Sequence, residues 1–522
     1  MKILIYSEVT AASIARSLGM PEYSYYFVLR EFRPVLERLG EVIAVDDPAR
    51  EVDAHYAAAC EAGQRCVFLS FSPPHRTTLG LACPTVPVFA WEFDSIPTQS
   101  WYDQPEHDWR HGLALCGRAI VHSRLTVEAV RDAMGADFPV VSIPAPVWDK
   151  FARLRARGDQ PRRGPWHIGV PAGVVFDTHN LSLEPWMPGP DAVAQAVAQA
   201  RGETTAQAVV DALHAEAQAA ESAPAADAPA PAAPPSAAPM PAAPDPLRVT
   251  LRYLAEWYRL VWRDSLPPAC DRALDALRRR LRPPAATPAP EPVSPWELAP
   301  RQLSLDGVVF TAMFNPYDGR KNWVDMLTAF CTAFRDVPDA TLLFKLGHSK
   351  YRSAINDMLM CMARLPAFRC RVVILQGFVD EAGFESLIDA TAFVVNASHG
   401  EGQCLPLMEF LSCGKPALAP RHSAMADYID GEVAFVVDSW LDATAWPHDP
   451  RLAYRTLRHQ IDWQSLLQAY RDAYRTYRED PARYAVLSRN AVARMQGHCS
   501  REAAAARLSA FLTIEDNESV CA

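Results

Sequence analysis

The stretch "HGEGQCLPLMEFLSCGKPALAP", His399 to Pro420, decides the fold. It follows "AFVVNAS", a short apolar run with the character of a buried strand. "HGEGQC" then reads as a loop, and "LPLMEFLSCG" as a helix with Pro406 in its first turn, where the missing proline N–H costs nothing. Strand, loop and helix in this order are the unit of a parallel α/β sheet. The loop meets the helix at its amino-terminal end, where backbone N–H groups lack helical partners and the dipole is positive. That end is a seat for an anion such as phosphate. Two acids flank the seat, Glu401 before the helix and Glu409 about one turn inside it.

The same alternation extends outward on both sides. "DGVVFTAMF", "ATLLFKLG", "RVVILQGF", "PALAPR" and "VAFVVD" are strand candidates, with helix patterns "KNWVDMLTAFCTAFRDV" and "EAGFESLIDA" between them. Residues 301–450 therefore read as one α/β domain, and the charged remainder, 451–522, as a helical segment. Residues 1–185 alternate too, from "KILIYS" through "CVFLSF", "TVPVFAWE" and "RAIVHS" to "PVVSIPAP". Between the two α/β domains, residues 186–300 are an insertion. Its tracts "AAESAPAADAPAPAAPPSAAPMPAAPDP" and "RPPAATPAPEPVSP" are rich in Ala and Pro, so they offer little to pack and read as semi-rigid linkers. The basic, aromatic stretch between them, around Trp257, Tyr258 and Trp262, has two readings. It is either a small helical subdomain with a solvated face or an amphipathic contact with an anionic membrane or a partner protein. Ligands of such sheets bind at the carboxyl ends of the strands, so the cleft between two facing domains is the expected site.

Composition narrows the function classes. The chain has 522 residues, which implies more than one domain. Its net charge of −10 argues against nucleic acid as the main partner. Twelve cysteines lack C-x-x-C spacing, and read as reduced structural thiols of a cytoplasmic protein. "MKILIYSEV" reads as a first strand rather than a signal peptide. His107 and His111 have helical ligand spacing but no glutamate or cysteine set to complete a metal site, and no P-loop or nucleophile elbow stands out.

A carboxylate only accepts hydrogen bonds, so Glu409 suits two adjacent hydroxyls such as a ribose diol, and Glu401 those of a second sugar. Two such acids around one phosphate seat describe a pocket for a sugar–diphosphate–nucleoside. The pattern E-G-x-x-L-P-x-x-E-x-x-x-C-G-x-P, Glu401 to Pro416, resembles the E-x7-E signature of retaining glycosyltransferases of family 4, which have the GT-B fold. The resemblance covers residues 301–450, extends more loosely over 1–185, and does not cover the insertion. It implies two Rossmann-like domains, acceptor mainly on the first and donor on the second, and no cofactor or essential metal. It further implies that Arg320 and Lys321, in "FNPYDGRKNW", hold the donor diphosphate, although Phe314-Asn315 replaces the usual Gly-Arg after the strand.

Glu401 would hold the donor sugar and Glu409 the ribose. Gly400, Gly402, Gln403, Cys404 and Leu405 would line the helix mouth, and Gly377 and Phe378 the nucleobase. Lys345 either faces the same cleft or sits on its rim. In the first domain His75 and Glu92 follow strands and could bond donor or acceptor hydroxyls; the bland reading of His75 is a loop histidine. The expected reaction is transfer of a hexosyl group from a nucleotide sugar to a hydroxyl of a polysaccharide, glycolipid or glycoprotein acceptor, with retention. The expected location is the cytoplasm, with peripheral contact at the inner face of the membrane through the insertion. Two alternatives share the pocket: a nucleotide-sugar epimerase or phosphorylase on the same fold, and a non-catalytic sugar-nucleotide-binding scaffold.

Overall fold

A computed structural model describes residues 1–10, 23–161, 164–170, 173–183, 187, 301–348, 351–377, 379–447 and 449–513. The expected Ala/Pro-rich insertion, and with it the expected membrane or partner contact, lies outside them. The described residues all belong to one compact unit.

The first sheet contains β1 (Lys2–Tyr6), β2 (Glu41–Ala44), β3 (Cys66–Ser70), β4 (Thr85–Phe89), β5 (Ala119–Val121) and β6 (Val140–Ser142). Their order is β2-β1-β3-β4-β5-β6, and all pairs are parallel. Helices α1 (Tyr23–Leu39), α2 (Pro48–Glu61), α3 (Trp109–Cys116) and α4 (Arg124–Met134) connect and cover the strands. The punctuation is legible in α4. Ser123 accepts from the Thr126 amide at the start, and Gly135 ends the helix at φ 106°.

β7 (Trp166–Val170) and β9 (Arg301–Leu305) form a separate antiparallel ribbon, and β8 (Val174–Asp177) crosses into the second sheet. That sheet also holds β10 (Val308–Phe314), β11 (Ala340–Leu346), β12 (Arg371–Gln376), β13 (Phe393–Val395), β14 (Ala417–Pro420) and β15 (Ala434–Val437). Its order is β15-β14-β13-β10-β11-β12-β8; only β8 runs antiparallel. "ATLLFKL" in β11 is buried along its whole length because helices cover both faces. α5 (Trp323–Ala333) and α6 (Arg352–Ala363) pack on one face; α7 (Glu381–Ala390) and α8 (Leu405–Ser412) pack on the other.

The change of direction falls between β10 and β13, the topological switch point of a doubly wound sheet. β13 carries the loop that opens the Glu401 motif. That loop presses on the first sheet. A Cβ on Gly402 would lie 2.8 Å from the Cβ of Ala90 and 3.0 Å from the amide of Trp91, and the Gln403 side chain accepts from the Ala145 amide at 2.8 Å. The carboxyl ends of the two sheets thus face each other, in the GT-B arrangement.

Two boundaries differ from expectation. The break expected at residue 185 lies after β8, which belongs to the second sheet, because Asp177 pairs with Arg371 of β12. Residues 451–522 are not wholly helical: β16 (Ser439–Ala445) and β17 (Tyr454–Ile461) form an antiparallel ribbon. Only then do α9 (Trp463–Glu479), α10 (Pro481–Cys499) and α11 (Arg501–Thr513) follow. α9 packs on α5, and α11 returns to pack on α1 of the first sheet, where Arg65 donates to the Leu512 carbonyl at 2.6 Å. Among the described residues no helix is long and apolar enough to cross a membrane.

The Asp177–Arg371 pair makes the β8 crossover testable. Its two bonds of 3.1 and 2.7 Å are buried, and removing Asp177 leaves the buried Arg371 to a largely exposed carboxylate, Asp306, at 3.3 Å. Asp177→Ala is expected to cost about 3–5 kcal/mol in urea unfolding, whereas an apolar replacement of both residues should cost less. Equal cost for the single and double changes would contradict a coupled pair.

Candidate active site

Four chain segments meet at the switch point, and three of them bring charge. After β10, a turn at Gly319–Lys321 leads into α5, and Asp318 caps it by accepting from the Arg320 amide at 3.3 Å. After β13, Asn396, Ser398 and Glu401 follow in the loop. After β4 of the first sheet comes Glu92. After β14, Ser423 adopts φ 47°.

Glu401 is the hub. Lys321 Nζ donates to both its oxygens, at 2.7 and 2.9 Å, and Arg320 Nη1 donates to Oε2 at 3.2 Å. Ser398 Oγ and Asn396 Nδ2 donate to Oε1 at 2.7 and 3.1 Å, and the Ser423 hydroxyl accepts from the Glu401 amide at 2.9 Å. The side chain is 4 % exposed. Burial alone would raise its pKa, but Lys321, Arg320 and the hydrogen bonds win and hold the carboxyl far below the ordinary range. Arg320 also pairs with Glu92 at 3.2 Å and Asp318 at 2.9 Å, and donates to the Gly400 carbonyl at 2.8 Å. Burial works against its charge, and the three carboxylates more than offset it. Glu92 is the reverse case: burial dominates and raises its pKa, with Arg320 only partly compensating. Burial thus favours the protonated form of Glu92, the opposite of the outcome at Glu401.

The expected anion seat is the mouth of α8. Cys404 stands at its amino end with φ 62° and Pro406 in the first turn. Among the described residues the amides of Gly402, Gln403 and Cys404 make no hydrogen bond. Burial first, then the Glu401 charge, raises the Cys404 thiol to about 12, so it stays protonated and is no thiolate nucleophile.

Glu409 faces another group. Lys150 Nζ lies 2.5 Å from its Oε1 and 3.2 Å from Glu31 Oε1 on α1. Burial opposes the lysine's charge, and Glu409 and Glu31 together raise its pKa. One oxygen of Glu409 is thereby fixed, and among the described residues the other has no hydrogen-bond partner. Lys150 was not legible locally, since it lies 259 positions from its partner. Asn396 and Ser398 were more accessible to sequence reasoning, being polar residues directly after a strand.

The structure brings Glu401, Arg320, Lys321, Glu92 and Gly400 together. His75 instead stacks on Trp109, 5.6 Å between ring centres, on the side of the first sheet. Gln403 and Leu405 sit in the loop and at the start of α8, with the Gln403 carbonyl accepting from Tyr428 at 2.9 Å. Gly377 directly follows β12, and Phe378 lies outside the described residues. Lys345 is not a rim residue; it is buried. The ring of His422 stacks on His459 at 4.2 Å, and its Nδ1 lies 3.1 Å from the Ser423 hydroxyl.

The Glu401 pairing has a pH signature. A carboxyl held low in the fold contributes stability above the unfolded value of about 4.3 and loses it as pH falls toward its folded value. Glu401→Gln should therefore destabilise by about 3 kcal/mol at neutral pH. Denaturant unfolding across pH should show the gap to wild type narrowing below about pH 4; a gap independent of pH would contradict the pairing.

No protein-family model matches the chain, and no curated protein matches it. Solved structures do. Sucrose-phosphate synthase from Thermosynechococcus elongatus is 13 % identical, with 99 % of each chain covered and a TM-score of 0.46. A glycosyltransferase from Rickettsia africae is 9 % identical, with 99 % of each chain covered and a TM-score of 0.45. Anabaena HepE, solved in complex with UDP and glucose, is 11 % identical, covering 98 % of this chain and 100 % of its own, with a TM-score of 0.41.

Proposed function

We propose that the chain transfers a sugar from a nucleotide-diphosphate sugar to a hydroxyl acceptor, with retention of anomeric configuration. The observation that carries this reading is the convergence at the switch point. Two cations following β10 meet Glu401 following β13, beside unpaired amides at the mouth of α8.

In the ligand-free chain Lys321 and Arg320 are neutralised by acids, which preorganises them without an anion. Lys321 keeps one of its three N–H groups unused by Glu401. A diphosphate seated on the Gly402–Cys404 amides would take that N–H. As the glycosidic bond breaks, the leaving diphosphate gains negative charge, and fixed donors and cations are most valuable there. Glu401 would accept from hydroxyls of the donor sugar, and the free oxygen of Glu409 from a ribose hydroxyl. With the Cys404 thiol protonated and Glu401 held by cations, the cluster offers no free nucleophile. That suits front-face attack, in which the departing phosphate oxygen helps remove the acceptor proton. Glu92 stands where the first sheet meets the cluster and would bond an acceptor or donor hydroxyl. The reading needs no metal or cofactor. The acceptor is a carbohydrate, lipid-linked glycan or glycoprotein, and the place of action the cytoplasm.

A thermal-shift panel of nucleoside diphosphates and their sugars tests binding, because ligand that binds only the folded chain raises its stability. With the best donor, Lys321→Met should lower kcat about 10²–10³-fold. Glu409→Ala should raise KM about tenfold or more with kcat nearly kept. Proton NMR of the product reads the anomeric configuration. Matching kinetic changes in the two variants, or an inverted product, would contradict the assignment.

A further inference from the structure

Lys345 is a buried cation the assignment above leaves unused. It is the last residue but one of β11, and 6 % exposed. The neighbouring Leu343, and Leu375 paired opposite, belong to the core beneath α7 and α8, which places Lys345 on the same face of the sheet. Its ammonium donates to the carbonyls of Leu346 at 3.1 Å and Gly377 at 2.7 Å. An ammonium has three donors, so one remains. Arg320, Lys321 and Lys150 each have a carboxylate partner; among the described residues Lys345 has none. Burial pulls its pKa down to about 8. A buried cation without counter-charge is costly, and such groups gather where a ligand completes them.

The topology says which part of a ligand arrives there. β11 and β12 lie on one side of the switch point and β14 on the other. On the β13 and β14 side the loop at Gly402 lies against Ala90 and Trp91, and the ring of His422 stacks on His459. From a diphosphate at the mouth of α8, the rest of a nucleotide therefore runs over β10 and β11 toward β12. Three strand spacings, roughly 14 Å, separate β13 from β12, the length scale of an extended nucleoside diphosphate. The nucleoside end then meets Lys345 and the Gly377 turn that Lys345 holds.

We propose that Lys345 is a specificity-determining residue: its remaining N–H donates to an oxo group on the base edge, so that the donor carries an oxo base (uracil, thymine or guanine) rather than adenine. A donor-only group rewards a carbonyl and rejects an exocyclic amino group at the same point. The proposal rests on the nucleotide-sugar reading above.

Calorimetric titration of the full chain with UDP, dTDP, GDP, ADP and inorganic pyrophosphate tests it, in wild type, Lys345→Met and Lys345→Gln. Wild type should bind at least one oxo-base diphosphate about tenfold or more tighter than ADP. Lys345→Met should lose that margin, with ADP and pyrophosphate binding unchanged; Lys345→Gln, which keeps a donor, should retain part of it. Ligand-free thermal unfolding shows that each variant is folded, and Lys345→Gln serves alone if the methionine variant is not. Equal loss for pyrophosphate would make Lys345 a phosphate cation and overturn the proposal. So would an unchanged margin in both variants, or tightest wild-type binding of ADP. If wild type binds none of the nucleotides, the donor reading fails together with it; a failure confined to the variants overturns Lys345 alone.

Discussion

The buried contact between the Glu401 carboxylate and the Lys321 and Arg320 cations is the constraint around which the described unit is organised. It joins the segment after β10 to the segment after β13, the one place where the second sheet changes direction. A cation or an acid alone would be costly there. Together, with Ser398 and Asn396 donating to the carboxylate and Ser423 accepting from the Glu401 amide, they are satisfied. The arrangement also fixes the loop that opens α8. Gly400 and Gly402 let that loop lie against Ala90–Glu92 of the first sheet, so the same few residues set both the charge of the site and the approach of the two sheets.

The cluster shows how a preorganised anion site can exist before its ligand. Counting full charges, Arg320 and Lys321 face Glu401, Glu92 and Asp318. Burial raises the pKa of Glu92 while the two cations hold that of Glu401 down, so the acids of the cluster differ in how firmly they keep their charge. An arriving diphosphate meets a site whose cations are already positioned, with reorganisation limited to hydrogen-bond exchange. Lys150 plays a comparable part further along α8. By holding one oxygen of Glu409 and one of Glu31, it ties α1 of the first sheet to the helix that carries the second acid.

Much of this was legible in the residues. Apolar runs of strand length, separated by helix patterns with Ser or Asp before and Gly after, mark both sheets because burial on two faces demands continuous apolar strands. The meeting of Glu401 with Arg320 and Lys321 was readable only in outline. Both segments follow strands of one sheet, but the direct pairing depends on the strand order β13-β10, which no local pattern encodes. Lys150 and the burial of Lys345 were hidden for the same reason. The capture of β8 by the second sheet was missed because its four residues, "VVFD", look like any short strand, and their partner Arg371 is 194 positions away from Asp177. The β16–β17 ribbon was missed because "SWLDATA" and "YRTLRHQI" carry polar residues on both faces and blur the two-residue alternation. His75 followed a strand, as a site residue should, but the packing of Trp109 took it.

The most direct measurement is a crystal structure of the chain grown with the nucleoside diphosphate that stabilises it most. The account predicts the terminal phosphate within hydrogen-bonding distance of the Gly402–Cys404 amides and of Lys321 Nζ, with Glu401 still at the junction of the two sheets. Phosphates bound elsewhere, with the α8 mouth empty and Lys321 still held only by Glu401, would contradict it.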